Sequence, residues 1–120
     1  KGVLKIKLEN CIINTKEDVK RILRNIKDYN YALSEGTGIP YEAIEEDIVY
    51  WAGDWRTCIT PKQNGEYAYY SRNNCDGSIQ KDTMDLDRVV DELYRNRNSL
   101  NYYVNEAMKV REISHFKTTR

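Results

Sequence analysis

Residues 55–71 read WRTCITPKQNGEYAYYS, and this stretch decides the fold class. Both of its ends are rich in β-branched and aromatic residues, whereas the segment from Pro61 to Gly65 has the composition of a turn. Asn64-Gly65 is a dipeptide typical of β-hairpins, and Asp76-Gly77 is another. We therefore predict strands over 55–60 and 66–71, a short last strand around 78–81, and an antiparallel sheet of three to four strands.

The start of the chain shows a period of two. Leu4, Ile6 and Leu8 alternate with charged residues. Because successive side chains of a strand point to opposite faces, this alternation predicts a half-buried strand from Val3 to Ile13.

Helical patterns occupy the region between that strand and the central hairpins. Thr15 and Asp18 have the spacing of a capping box, so a first helix is predicted over 16–34, with Gly36 ending it in the left-handed conformation. Pro40 suits the first turn of a second helix. Apolar side chains at a spacing of three to four extend that second helix to about Gly53.

The last third of the chain is also helical in pattern, with apolar stripes through 86–94 and 100–108. Asp82 or Thr83 is the predicted N-cap. We expect two helices, or one long helix kinked at 96–99, where asparagines weaken the pattern. The predicted fold class is therefore α+β: a small antiparallel sheet with N-terminal helices and a C-terminal helical pair.

Size and charge limit the classes of function. A chain of 120 residues is typical of one domain, so residues 1–120 are predicted to form a single unit. Its 19 Lys and Arg residues balance 19 Asp and Glu residues. A neutral total argues against bulk binding to DNA or RNA, which requires a basic surface. Any charged ligand must therefore be held locally, by a few placed side chains.

The metal-binding residue types are few. Cys11, Cys58 and Cys75 are widely spaced, and His115 is the only histidine, so we predict no metal site. Unpaired thiols suit a reducing cytoplasm. No apolar run reaches the roughly 18 residues of a membrane span, and the first residues do not resemble a signal peptide, so we predict no membrane attachment.

No motif predicts catalysis or a cofactor. Nothing in the sequence places a cysteine nucleophile beside His115. The segment Gly36-Thr37-Gly38 is neither a Walker loop nor a dinucleotide fingerprint. We therefore predict that the protein is not an enzyme and has no catalytic residues.

Gly36, Thr37 and Gly38 nevertheless form a candidate anion site. They lead into the N-terminus of the predicted second helix, where free backbone N–H groups favour a phosphate or carboxylate. The two glycines allow close approach, and the threonine adds a hydroxyl. The alternative is a plain connector between two helices.

A second candidate lies in the segment 50–56, which has two indoles around a glycine. Arg56, oriented by Asp54, is a candidate phosphate ligand, and Trp55 is a candidate stacking surface for a base. The alternative is that the tryptophans are core residues and the charged pair is a surface ion pair. The polar segment 72–78 is foremost a turn, and Ser78 within it is kept as a candidate ligand-binding residue.

The segments 31–38, 50–56 and 72–78, which read YALSEGTG, YWAGDWR and RNNCDGS, resemble those of the phage anti-Thoeris family, type one. The resemblance implies a "sponge" that binds a cyclic ADP-ribose isomer made by bacterial TIR-domain proteins and does not degrade it. Some members also hold cyclic di- or trinucleotides in a separate pocket. It further implies a homo-oligomer, from dimer up to hexamer, that acts in the cytoplasm of the infected bacterial cell and shares its pockets between protomers.

The resemblance also assigns residues. It implies that Arg111 is the arginine of the last helix that meets the phosphates. It makes Met84 the apolar wall where relatives carry an aromatic residue, and this departure removes a ring that stacks on the adenine. Arg56, with Gly36 and Thr37, is implied to belong to the second, cyclic-oligonucleotide pocket.

Three hypotheses follow from the sequence. The first is sequestration of a nucleotide signal. The second is inhibition of a host defence enzyme by direct protein contact, through an aromatic surface around Trp51 and Trp55. The third is an enzyme that cleaves a nucleotide, which turnover above stoichiometry would reveal.

Overall fold

The structure, a computed structural model, describes residues 7–37 and 45–118. A 3-10 helix, Leu8–Cys11, precedes the helices α1 (Lys16–Arg24) and α2 (Ile26–Thr37). Four strands follow, β1 (Ile48–Ala52), β2 (Trp55–Pro61), β3 (Tyr67–Asn73) and β4 (Ile79–Met84), and then the helices α3 (Leu86–Arg95) and α4 (Arg97–Thr118). The predicted α+β class is confirmed, as are the N-terminal helices, the antiparallel sheet and the C-terminal helical pair.

The four strands form an antiparallel meander in the order β1-β2-β3-β4. Gly53 opens the two-residue loop between β1 and β2 with a φ of 62°, which a type II′ turn requires at that position. Gly65 and Gly77 lie in the next two hairpin loops with φ of 86° and 77°. The two hairpin dipeptides predicted from the sequence are therefore confirmed.

Strand β1 corrects the predicted second helix. Its residues, Ile48–Ala52, are β-branched, aromatic and small, and they pair with β2 along their whole length. The side-chain amide of the buried Asn30 donates to the carbonyls of Glu45 and Asp47 at 2.8 and 2.7 Å, which holds the chain as it enters the strand. Local β propensity together with this anchor outweighs the helical spacing. The rest of that prediction, at 38–44, lies outside the described residues.

The predicted N-terminal strand is also wrong where the structure describes it. Leu8–Cys11 forms a 3-10 helix, with Leu8 and Cys11 buried in the core. The backbone of Ile13 pairs with a side chain instead of a strand: Asn101 accepts from its N–H at 2.8 Å and donates to its carbonyl at 2.9 Å. This amide on α4 satisfies both groups that a neighbouring strand would have paired. Residues 3–6 of the predicted strand lie outside the described residues.

Two helices replace the single helix predicted over 16–34. The capping box is confirmed, because the Thr15 hydroxyl accepts from Asp18 N–H at 3.2 Å and the Asp18 carboxylate accepts from Thr15 N–H at 2.9 Å. Bonds from the backbone N–H groups of Asn14 and Thr15 hold the pKa of Asp18 below its usual value. The break falls at Asn25, whose side-chain amide donates back to the Arg21 carbonyl and so competes with the helix.

The other predicted helix boundaries shift by a few residues. α2 continues through Gly36 to Thr37, so Gly36 does not end it. The N-cap of α3 is Asp85, which accepts from Arg88 N–H at 2.9 Å, and not Asp82 or Thr83. Asn96 separates α3 from α4, as the weak pattern at 96–99 predicts.

The helices lie against one face of the sheet, which we call the covered face. Two buried hydroxyls meet there, Thr57 Oγ1 and Ser71 Oγ at 2.9 Å. The Tyr50 hydroxyl donates to Glu92 of α3 at 3.3 Å. The core joins this face to the helices and includes Val19, Ile22, Tyr29, Ile48, Tyr50, Ile59, Met84, Val89, Leu93, Leu100 and Val104.

Candidate functional site

The opposite side of the sheet, which we call the open face, carries two rows of side chains that cross all four strands. The strand register sets their composition, because residues paired across strands share a face. The first row runs from β1 to β4 as Trp51, Arg56, Arg72 and Ile79. The second row lies on the same face, two residues away along each strand, and consists of Val49, Cys58, Tyr70 and Lys81.

Large apolar side chains on the open face are exposed to solvent. Trp51 is 38% exposed, Tyr70 36% and Ile79 51%. Trp51 and Tyr70 each adjoin a buried residue of the covered face, Tyr50 and Ser71 respectively, whereas β4 is exposed along its length up to Met84. A shallow depression of about 550 Å³ lies over β3 and β4, where Ala68, Tyr70, Lys81 and Thr83 are among its lining residues. Aromatic surface and a recess are therefore available side by side.

Arg56 and Arg72 stand directly opposite each other at the centre of the first row. Both are exposed, and within the described residues neither forms an ion pair. Like charges in cross-strand positions destabilise a sheet. Lys81 is the diagonal neighbour of Arg72, which adds a third cation. None of the eight residues in the two rows is acidic.

The arginines of α3 and the start of α4 differ from this pair, because each has an intramolecular contact. Arg88 donates to Asp82 at 2.8 Å and to the Thr83 carbonyl. Arg95 bonds to Glu92. Arg97 lies 4.2 Å from the centre of the Tyr94 ring and also donates to its carbonyl. Those three side chains stabilise the helical layer, whereas Arg56 and Arg72 contribute unpaired charge to the open face.

The carboxylate of Asp47 lies at one end of the open face. Asp47 accepts from the Thr60 hydroxyl at 2.8 Å and from the Cys58 thiol at 3.4 Å. Burial, and then the charge of Asp47, raise the pKa of Cys58, so this thiol stays protonated at neutral pH. The thiol is thus a hydrogen-bond donor in a half-buried position and lacks the thiolate character of a nucleophile.

The hairpin turns form the other end. Asp54 did not orient Arg56 as predicted: its backbone carbonyl accepts from Asn74 N–H at 2.9 Å, and its side chain bonds the Cys75 thiol and so raises the pKa of that thiol. Ser78 donates through its hydroxyl to Asp76 at 2.6 Å. The segment 72–78 is a turn, as predicted, and its hydroxyl is engaged within that turn.

The remaining predicted site residues lie away from the open face. Trp55 is half-buried on the covered side, so Trp51 and Trp55 belong to opposite faces. Met84 is 7% exposed and packs into the core at the end of β4, at the rim of a depression of about 590 Å³ that Glu92 and Arg95 also line. Met84 therefore does not share a surface with Arg56.

Arg111 belongs to the helical layer. It is half-buried on α4. Burial raises the pKa of Cys11 to about 11, and the positive charge of Arg111 opposes this increase only in part. The structure thus places Arg111 and Arg56 on different sides of the sheet within one chain. Gly36 and Thr37 lie in the last turn of α2, and Gly38 lies outside the described residues, so the predicted anion site at a following helix is not described.

Sequence reasoning missed Trp51, Tyr70, Arg72 and Lys81 as members of one surface. Arg72 was assigned to a turn, and Trp51 was assigned to a helix. The available signal is the period of two in a strand, which assigns Tyr70, Arg72 and Lys81 to one face once the hairpin register is known. Since the register depends on loop length, both hairpins had to be placed to within one residue.

No protein-family model, curated protein or solved structure matches this chain. Within the described residues, no group of three or more His, Cys, Asp or Glu side chains is arranged to hold a metal ion. None of the helices in 7–37 and 45–118 combines the length and the apolar character needed to cross a bilayer.

Proposed function

We propose that this protein binds a phosphate-bearing nucleotide and sequesters it without chemical change. The observation that carries the proposal is the exposed cross-strand pair of Arg56 and Arg72. Two guanidinium groups side by side without acidic partners favour an anion, because a bound phosphate removes their repulsion and accepts charge-assisted hydrogen bonds. Trp51, next to Arg56 in the first row, supplies a stacking surface for the base.

The proposed ligand is a cyclic ADP-ribose isomer made by TIR-domain proteins, with cyclic di- or trinucleotides as further ligands. The support for this identity is the resemblance of the segments 31–38, 50–56 and 72–78 to the anti-Thoeris family. On this proposal the protein is a phage product that acts in the cytoplasm of an infected bacterium and blocks Thoeris immunity. It is not an enzyme, so the ligand is released intact when the protein unfolds.

Sequestration also requires enclosure. Sites for small molecules bury about 70–90% of the ligand surface, whereas the open face of one chain leaves a ligand exposed on one side. A nanomolar affinity corresponds to about 12 kcal/mol, which exposed contacts alone do not supply. We therefore propose that a second protomer closes the site in a homo-oligomer, and the resemblance assigns Arg111 of the helical layer to such a shared site.

The test is a release experiment. The purified protein is incubated with lysate of cells that carry an active TIR-domain defence, washed, denatured by heat, and the released small molecules are identified by mass spectrometry. We expect an intact cyclic nucleotide at about one molecule per site. Release of a hydrolysed nucleotide, or of none, would contradict the proposal.

Matched variants locate the site. Arg56→Gln and Arg72→Gln each remove a charge-assisted contact, so retention should weaken about 10- to 150-fold. Arg24→Gln is the control, because Arg24 is an exposed arginine at the end of α1 in the helical layer. Arg111→Gln tests the residue that the resemblance assigns to the phosphates, with thermal unfolding as the check that the variant folds.

A second candidate function is inhibition of a host enzyme through protein contact. The observation that favours it is the shared exposure of Trp51, Tyr70 and Ile79 on one face. A stable host protein recovered with the wild type, lost with Trp51→Ala and accompanied by no small molecule, would favour inhibition over sequestration.

A further inference from the structure

The geometry points to a second ligand class for the open face: short linear single-stranded nucleic acid, laid across the four strands. This inference uses residues of the proposed function, but it does not require sequestration of a cyclic nucleotide. It rests on the shape of the face and on the order of side chains in its two rows.

The shape favours an extended ligand. The two rows cross the strands and end on β1 and β4, the outer strands of the sheet among the described residues, so a linear chain enters at one side and leaves at the other. Four strands spaced by about 4.8 Å give a crossing of roughly 14 Å. Asp47 at one end of the strands, and Asp54 and Asp76 in the turns at the other, repel a polyanion that runs along the strands. The path across the sheet therefore has the fewest unpaired acidic side chains, because Asp82, which lines the depression over β3 and β4, is paired with Arg88.

The order of side chains suits unpaired bases. Trp51 lies at the β1 edge, and Tyr70 lies two strands away beside the depression over β3 and β4. Between and beside them lie the cations Arg56, Arg72 and Lys81. Proteins that bind single strands combine a cationic path for the backbone with aromatic rings on which bases stack. Both parts are present here within two rows.

A duplex does not fit the same surface. Its bases are stacked on each other and cannot lie on Trp51 or Tyr70, and a face of four strands is broader than the helix or two-stranded ribbon that the major groove admits. The balanced total charge of the chain gives no long-range attraction to either form of nucleic acid, which keeps the affinity modest for a single strand as well. The expected binding is therefore selective for single strands and modest in affinity, with a Kd of about 1–100 μM.

The salt dependence gives a quantitative test. Three cations on a single strand predict a slope of log K against log salt of about −2, since each contact contributes about −0.7. Replacing both Arg56 and Arg72 by Gln should reduce the slope to about −0.7. Replacing Trp51 by Leu should weaken binding by about five- to 150-fold and leave the slope unchanged, because stacking carries no charge.

The experiment measures fluorescence anisotropy of labelled oligonucleotides of about ten residues, a length within the usual site sizes for single strands. RNA and DNA single strands of one mixed sequence are compared with the matching duplex, for the wild type, Arg56→Gln/Arg72→Gln, Trp51→Leu and the control Arg24→Gln. The variant Trp55→Phe leaves Trp51 as the only indole of the chain. Quenching of the Trp51 fluorescence by a bound oligonucleotide therefore reports contact with the open face. Thermal unfolding checks that each variant folds.

The inference is supported if the RNA or the DNA single strand binds in a salt-dependent manner, quenches Trp51 and loses affinity for the double arginine variant. A preference for RNA would indicate additional contacts to the 2′-hydroxyl. Equal affinity for the duplex, an unchanged double variant or no binding would overturn it. The two proposals fail separately. Oligonucleotide binding without release of a small molecule from lysate rejects sequestration alone, and the reverse result rejects the present inference alone.

Discussion

The two faces of the sheet are made by the same strands and obey different requirements. On the covered face, Ile59 is fully buried and Thr57 and Ser71 satisfy each other's hydroxyl. On the open face, one residue further along the same strands, Arg56 and Arg72 repel each other. The comparison shows that alternate positions of one strand serve stability on one side and leave charge available for a ligand on the other. Four predictions test this division, from the largest expected effect on the fold to the smallest.

Ile59 and Ile79 form a matched pair of isoleucines on opposite faces. Ile59 is 0% exposed, whereas Ile79 is 51% exposed. Ile59→Ala leaves a cavity in the core and should lower the free energy of unfolding by about 2–5 kcal/mol. Ile79→Ala should change it by less than about 0.5 kcal/mol. Chemical denaturation of both variants measures the difference, and equal losses would contradict the assignment of faces.

The Thr57–Ser71 hydroxyl pair is the polar part of the covered face. Ser71→Ala removes the hydrogen bond between Ser71 and Thr57 and leaves Tyr50 as the neighbour of the Thr57 hydroxyl, so it should cost about 0.5–1.5 kcal/mol. The double variant Thr57→Val/Ser71→Ala should recover part of that loss, because both polar groups are then removed. A double-mutant cycle in urea gives the coupling, and strictly additive losses would show that the two hydroxyls do not interact.

The open face should respond in the opposite direction. Arg72→Gln removes the repulsion across β2 and β3, so the free energy of unfolding should rise by about 0.2–1 kcal/mol at low salt, and the gain should shrink as salt screens the charges. The same substitution weakens ligand retention. Urea unfolding at two salt concentrations checks this prediction, with Arg24→Gln as the control, and a loss of stability would mean that Arg72 has a structural role.

The cysteines report on the two faces without any change to the fold. Cys75 is exposed, Cys58 is half-buried on the open face, and Cys11 is buried with a pKa near 11. A thiol reagent at neutral pH should label Cys75 first, Cys58 slowly and Cys11 only on unfolding. The pKa of each of the three thiols is raised, so this order follows burial, which limits the access of the reagent. A ligand on the open face should slow the labelling of Cys58 and leave the labelling rate of Cys75 unchanged. If only the labelling of Cys75 becomes slower, the ligand binds at the turns instead.

The fold was predictable where a local signal and the tertiary context agree. Asn64-Gly65 and Asp76-Gly77 placed the hairpins, and Thr15 with Asp18 placed a helix start, because these signals act within a few residues. The errors have tertiary causes. Asn30 fixes the entry to β1, and Asn101 replaces a strand partner for Ile13, and neither contact is visible in a local pattern.

The site was less predictable than the fold. Arg56 was identified because it adjoins the unusual indole segment, but its partner Arg72 lies in a different hairpin and is paired with it by register alone. The resemblance pointed to Arg111 and Met84, which the structure places in the helical layer and the core. In the proposed homo-oligomer those positions would meet Arg56 only across protomers, and no local sequence signal indicates such a contact.

The two hydrogen bonds between the Asn101 side chain and the Ile13 backbone have a consequence for the newly made protein. The two residues are separated by 88 positions, so Ile13 leaves the ribosome well before the amide that will bond its backbone has been synthesised. At roughly 5–20 residues per second, the delay is about 4–18 seconds. During that interval Leu8, Cys11 and Ile13 can pack only against α1 and α2, without the surface that α4 supplies, so chaperones have time to bind this part of the nascent chain.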